Sequence, residues 1–239
     1  MYLYLIIDIA IIIFPLLLSF DKRVAFYKRW GPLAGSILTV GTLFVIWDIY
    51  ATYQGHWAFN ERYLTGIYLF GLPIEEIMFF VTVPYACIFT FEVISCHIRD
   101  WKVPFSPIPY LVAGGVLSVA ALIFHDQGYT FLALISLGLF LIFAPVKMPE
   151  LLGRRHFWLF ITITILLFVF FNYLLTSIPI VTYGPDFMWG DGNAWNGRFL
   201  TIPLEDFFYN MSMLSWYLFV YLIFKGKMGK NENGSPETM

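Results

Sequence analysis

Pro73-Ile74-Glu75-Glu76 and Pro203-Leu204-Glu205-Asp206 are the two stretches on which the reading of this chain turns. Each is a proline, an aliphatic residue and two adjacent carboxylates. Each also follows a related phrase: Asn60-Glu61-Arg62-Tyr63-Leu64-Thr65 lies seven residues before the first, and Asn196-Gly197-Arg198-Phe199-Leu200-Thr201 one residue before the second. Behind each acid pair runs about one bilayer's worth of apolar sequence, roughly 20 residues. Proline suits the first position of a helix, where its missing N–H costs nothing. The four acids then fall in first turns, where the helix dipole favours the ionised form and desolvation opposes it. An acid at the mouth of a membrane helix is expensive, which makes it a functional candidate. Two matched pairs suggest one site built between two related halves, although caps at the membrane interface would leave the same residues.

Working outward, the composition is that of a membrane protein. Of 239 residues, 59% are hydrophobic and only 13% charged, with a mean hydropathy of +0.74. The net charge of -2 says little, because the charges sit between apolar runs. No basic patch interleaved with aromatics suggests nucleic acid. Cys87 and Cys96 are nine residues apart on one predicted helix, roughly 13 Å and too far for a disulfide, so both read as core thiols. The first apolar run lacks a basic leader and a small-residue cleavage site, and reads as a retained span.

Seven spans are predicted, at about 2–20, 31–51, 73–96, 108–125, 129–146, 156–177 and 203–225. The expected fold class is therefore an all-α membrane protein with seven transmembrane helices. Lysine and arginine alternate across them. Lys22, Arg23, Lys28 and Arg29, then Arg99 and Lys102, then Lys147, Arg154 and Arg155, and finally Lys225, Lys227 and Lys230 all fall on one side, leaving Arg62 and Arg198 on the other. The positive-inside rule puts the N-terminus outside and the C-terminus in the cytoplasm of a multi-pass cell-membrane protein. Spans 3 and 7 then run the same way. Spans 1–3 and 5–7 become parallel triplets joined by span 4, a 3+1+3 internal repeat. The expected divisions are a first repeat at 1–103, a linker helix at 104–128, a second repeat at 129–225 and a disordered tail at 226–239.

In that frame Glu75, Glu76, Glu205 and Asp206 share one non-cytoplasmic end and are the candidate catalytic residues. Crowded carboxyls cannot all stay ionised, so one can serve as acid and another as base; either member of each pair fits either role. Equal position in parallel repeats predicts that Glu75 and Glu205 approach across a shared cavity. Asp48 and Asn172 end spans 2 and 6 at matched positions and are candidate supporting residues. Arg62 and Arg198 are either orienting partners or interfacial anchors. Phe79, Phe80, Tyr209, Trp47, Trp57, Trp195 and Trp216 could stabilise a cation with their ring faces, or simply pack. Glu92, sixteen residues past Glu76, is predicted near the opposite end in a structural or snorkelling role, and Asp8 on the surface of span 1. The four histidines show no metal-site spacing, and no nucleotide fingerprint is present.

These residues together resemble a family. Trp47-Asp48, Gly55-x-Trp57-x-Phe59, Tyr63, Pro73-x-Glu75-Glu76, Phe79-Phe80, Pro84 and Phe91-Glu92 are similar to the first half of the small integral-membrane lycopene cyclases. Asn172, Pro179, Tyr183, Arg198 and Pro203-x-Glu205-Asp206-Phe207-x-Tyr209 are similar to the second. The family occurs as two small subunits or as one fused chain, and this chain looks like the fused form. The resemblance implies cyclisation of the linear ψ-ends of lycopene to β-ionone rings by an intramolecular lyase or isomerase, without a flavin or other cofactor. It implies a lipid-soluble carotenoid substrate drawn from membrane lipid, with other carotenoid-pathway enzymes as candidate partners. A 3+1+3 transporter of small solutes is the principal alternative, but the Pro-Gln signature and polar midplane expected of one are not visible. A retinal protein needs a lysine inside the last span, and none lies between Pro203 and Lys225. An intramembrane prenyltransferase would bring Asp-rich diphosphate motifs, which are missing.

Overall fold

The computed structural model describes residues 2–189 and 197–232; Trp195 and Asn196 lie outside them. The chain is all-α, with short strand pairs between helices. In order it forms α1 (Leu3–Leu18), α2 (Phe26–Gln54), β1 (Trp57–Phe59), β2 (Tyr68–Leu69), β3 (Leu72–Pro73), α3 (Ile74–His97), α4 (Pro107–Ile123) and α5 (Gly128–Lys147). Then follow α6 (Arg155–Ser177), β4 (Val181–Tyr183), β5 (Arg198–Phe199), β6 (Ile202–Pro203) and α7 (Leu204–Glu232). Among the described residues five helices, α2, α3, α5, α6 and α7, are long and apolar enough to cross a membrane; α1 and α4 are apolar but shorter, at 16 and 17 residues. A chain with several such helices is a multi-pass membrane protein. α7 continues past the expected end at 225, so residues 226–232 are helical rather than irregular; residues 233–239 lie outside those described.

Side-chain contacts fix helix directions. Tyr217 Oη donates to the carbonyl of Phe80, and further along both helices Tyr221 Oη donates to Glu92, so α3 and α7 run parallel. α1 runs parallel to α3, through Tyr4 to Glu76 and then Ser19 to Tyr85. α5 runs parallel to α7 in the same manner, through Tyr129 to Asp206 and then Trp216 to Ser136. α2 reaches α7 through a π-helical stretch, Ile37–Gly41, where the widened turn brings Gly41 against Tyr217. A Cβ on Gly41 would stand 2.9 Å from the Tyr217 hydroxyl. α4 lies on α5 at a crossing of small residues, where a Cβ on Gly114 would meet the Gly138 carbonyl at 2.7 Å.

At the acid end two hairpins aim the helices. β2 pairs with β3 and β5 with β6, each ending on the proline that opens a helix. Ile74 N–H bonds the Ile67 carbonyl and Leu204 N–H bonds the Gly197 carbonyl, both at 2.9 Å. The structural counterpart of Arg198 is therefore Tyr68, not Arg62 as the phrase match suggested. The Asn60 phrase instead forms a 3₁₀ turn, Glu61–Tyr63, whose backbone Asn60 caps. A third pairing joins the halves: β1 and β4 run antiparallel with Trp57 opposite Tyr183, Ala58 opposite Thr182 and Phe59 opposite Val181. Numbering offsets make this self-matching, since Trp57 and Val181 each lie nine residues after Asp48 and Asn172.

At the far end Glu92 is buried, as a charge in a helix bundle must be only when paired. Tyr221 Oη reaches it at 2.8 Å, Lys225 Nζ at 2.6 Å, and Arg29 closes the cluster. Cys87 is buried and Cys96 exposed, so only the first is a core thiol.

Candidate active site

In the first half, Glu76 sits in the opening turn of α3 with its side chain turned into the bundle. Tyr4 Oη, from the parallel helix α1, donates to Glu76 Oε2 at 2.5 Å. Asp48, from α2, faces Glu76 carboxyl to carboxyl. Asp48 Oδ1 accepts from Trp57 Nε1 at 2.6 Å and Thr52 Oγ1 at 3.3 Å. Its Oδ2 receives no N–H or hydroxyl donor among the described residues.

The second half has a related arrangement. Tyr129 Oη, from α5, donates to Asp206 Oδ1 at 2.5 Å. Asn172 Nδ2, from α6, donates to Asp206 Oδ2 at 2.7 Å, and Tyr183 Oη reaches the same oxygen at 2.7 Å. Tyrosine on the parallel neighbour and a short polar residue from the middle helix thus meet the second acid of each pair in both halves. The middle residue is a carboxyl in one half and an amide in the other.

Glu76 and Asp206 line one cavity of about 320 Å³, together with Tyr4, Trp57, Phe79, Tyr129, Asn172, Tyr183, Tyr209 and Asn210. Beyond this polar end the walls are apolar and contributed by α1, α3, α6 and α7, as far as Phe14, Pro15 and Thr90. From Glu76 to Thr90 is about 21 Å along a helix. Phe14 and Leu167 are lining residues that are also exposed on the outer surface, so the cavity has a lateral edge between α1 and α6 where lipid would lie.

The expectation that Glu75 and Glu205 face each other across the cavity is corrected: neither is among its lining residues. Successive helical residues point about 100° apart, and the hairpins turn the second acid inward. Glu75 is buried against Thr65, whose N–H reaches Oε1 at 2.6 Å. Glu205 Oε1 accepts from Thr130 Oγ1 at 2.6 Å and the Trp189 N–H at 2.7 Å, beside a separate apolar pocket under Phe124 and Phe208. Arg62 is exposed and Arg198 half-buried, and neither lines the cavity. Arg198 donates to the Thr201 carbonyl at 3.1 Å and lies 5.6 Å from the Tyr183 ring centre. Asp8 is not a surface residue: it is fully buried, held at 3.5 Å by Thr82 Oγ1, within electrostatic reach of Glu75 and Glu76. Tyr4 and Tyr129 escaped the sequence reading because an aromatic near a membrane interface is ordinarily an anchor. Their signal was positional, since each is the second residue of its helix, α1 and α5.

The cavity is thus apolar along most of its walls and carries two carboxyls at one end, the form of a site for a largely apolar ligand. The family model described as Lycopene cyclase matches residues 1–94 and 126–224, and the chain belongs to that family. The internal stretch outside the match, 95–125, holds the end of α3, α4 and the loops beside it. No curated protein and no solved structure matches the chain.

Proposed function

We propose that the chain is a single-chain, flavin-free lycopene cyclase that closes ψ-ends of lycopene to β-rings. In this reading Glu76 and Asp206 face the reacting atoms, while Glu75 and Glu205 brace the helix starts. The observation that carries it is the meeting of these two acids, from matched helix openings, at the end of one elongated apolar cavity. A polyene from the bilayer core slides in laterally past Phe14 and Leu167 until one end lies between the carboxyls. One carboxylic acid protonates C2 of the terminal double bond, leaving a tertiary cation at C1. The C5–C6 double bond attacks C1, closing the ring and moving the charge to C5. The other carboxylate takes the proton from C6. Phe79, Tyr209 and Trp57 line the same cavity, where ring quadrupoles stabilise passing cationic charge. One proton enters and one leaves, so the sum is an isomerisation that consumes no electrons.

The same proposal includes seven spans arranged 3+1+3, with divisions near 1–103, 104–128 and 129–225. Parallel contacts of α1 with α3 and α5 with α7, the twin hairpins and the self-matching β1–β4 pair support it. Loop charges favour the N-terminus and both acid pairs outside and the C-terminus in the cytoplasm. The test is expression in a bacterial cell that accumulates lycopene, followed by chromatography of the pigments. β-ring products should appear with the wild type and vanish with Glu76→Gln or Asp206→Asn while the protein still inserts. Unchanged lycopene with wild-type protein in the membrane would overturn the reading.

A further inference from the structure

Resting on that reading, we infer that Asp48 and Asn172 divide the chemistry between the halves. Glu76, paired with Asp48, is the acid that protonates C2, and Asp206, held by Asn172, is the base that deprotonates C6. The two settings share a tyrosine from the parallel neighbour and differ at the middle residue, and Asp206 has in addition the Tyr183 hydroxyl. Tyr4 and Tyr129 give equal 2.5 Å bonds to the two acids. In the second half the middle residue is an amide, and Asp206 collects three donors within 2.5–2.7 Å. An ionised carboxylate only accepts and can take a hydrogen from all three, whereas a protonated one would need a phenol to turn and accept, since the Asn172 N–H cannot. In the first half the middle residue is a carboxyl. Asp48 Oδ2 is buried with no N–H or hydroxyl donor among the described residues, and two facing carboxyls bond only through a proton between them, so we assign one to the Asp48–Glu76 pair.

Acidic neighbours stand on both sides, Asp8 near Glu76 and Glu205 near Asp206, so the difference in surrounding charge comes from the basic group. Arg198 stands over Tyr183 on the Asp206 side and favours negative charge there. Asp48 itself does not line the cavity, so it is a positioning residue acting through Glu76. In each round Glu76 gives its proton to C2, the C1–C6 bond forms, and Asp206 accepts the C6 proton. One proton then returns from Asp206 to the Asp48–Glu76 pair, which leaves the protein unchanged.

The test uses full-length wild type, Asp48→Asn, Asn172→Asp and the double exchange in lycopene-accumulating cells, scoring rings formed per inserted protein. Asparagine at 48 keeps an oxygen for Trp57 and turns an N–H toward Glu76, so the fold survives and the shared proton is lost. Asp48→Asn should lower ring formation about 100-fold, the scale of a lost general acid. Asn172→Asp should lower it about tenfold, as one charge-assisted hydrogen bond is replaced by a facing carboxyl. The double exchange rebuilds one carboxyl pair and one amide-held carboxylate, and should recover at least about tenfold over Asp48→Asn. Wild-type yield from Asp48→Asn, or a double exchange no better than that single variant, would overturn the assignment. A wild type that makes no rings would instead remove the cyclase reading beneath it.

Discussion

A carboxyl at a helix start has two ways to satisfy itself, and this chain uses both in each acid pair. Glu75 and Glu205 take backbone N–H groups from Thr65 and Trp189, as caps do. Glu76 and Asp206 take phenols and turn toward the cavity. Glu75→Gln and Glu205→Gln should therefore cost stability, about 1–2 kcal/mol for weakening a charged hydrogen bond. Ring formation per folded molecule should stay within about tenfold of wild type, against near-complete loss for Glu76→Gln. Thermal unfolding in detergent read beside pigment yield checks this; loss of rings at unchanged stability would put Glu75 or Glu205 back into the chemistry. The acid pairs were legible in the sequence because carboxylates stand out against apolar runs. Which member faces inward was not, because a step of one residue is about 100° of helix and the hairpins set the starting angle. Asp48 and Asn172 were legible by matched position. Tyr4, Tyr129 and the burial of Asp8 were not, since packing between helices distant in sequence decides them.

Among the elements, the helix ends followed from apolar length and from prolines, so the span expectations lie within a few residues of most helices. The twin hairpins did not, because two-residue strands carry no periodicity, and a phrase match attached Arg62 to the wrong counterpart. The far-end loops show another contact invisible to pattern. Asp100, after α3, accepts from Arg154 at 3.0 Å and from the His156 N–H at 3.3 Å at the start of α6. Partial burial works to raise the Asp100 pKa, but Arg154 and His156 outweigh it and hold the group below the usual carboxylate range. A depressed folded pKa means this clamp is fully present above about pH 4, the ordinary aspartate value, and is lost as pH falls through the lower folded value. Asp100→Asn should thus melt below wild type at neutral pH, with the gap closing as pH is lowered toward 3. Melting curves for both proteins across that range measure it, and a gap independent of pH would show that ionisation of Asp100 is not what ties α3 to α6.

At the scale of the whole molecule, the cavity has one chemical end. Glu76 and Asp206 share it, and the apolar walls run away from them for about 21 Å along α3. That depth lies within a hydrocarbon core of about 30 Å, so a bound polyene is laid along the bundle with one terminus at the acids and the other directed away. The far terminus of a rigid conjugated chain cannot bend back to the same carboxyls. Nor does Glu205 offer it a second site of equal chemistry, because its pocket lacks a facing acid from the first half. On the proposed function each visit then closes one ring, and a second ring requires the molecule to leave through the lateral edge and return reversed. In a time course with substrate in large excess, monocyclic product should lead. Bicyclic product, where it forms, should follow after a lag that lengthens with the lycopene pool, because fresh lycopene competes for the same cavity. Chromatography of samples withdrawn from enzyme in lipid vesicles would follow both species. Bicyclic product rising from the first time point, with no monocyclic pool before it, would mean that both ends react in one residence, contrary to a single acid-lined end.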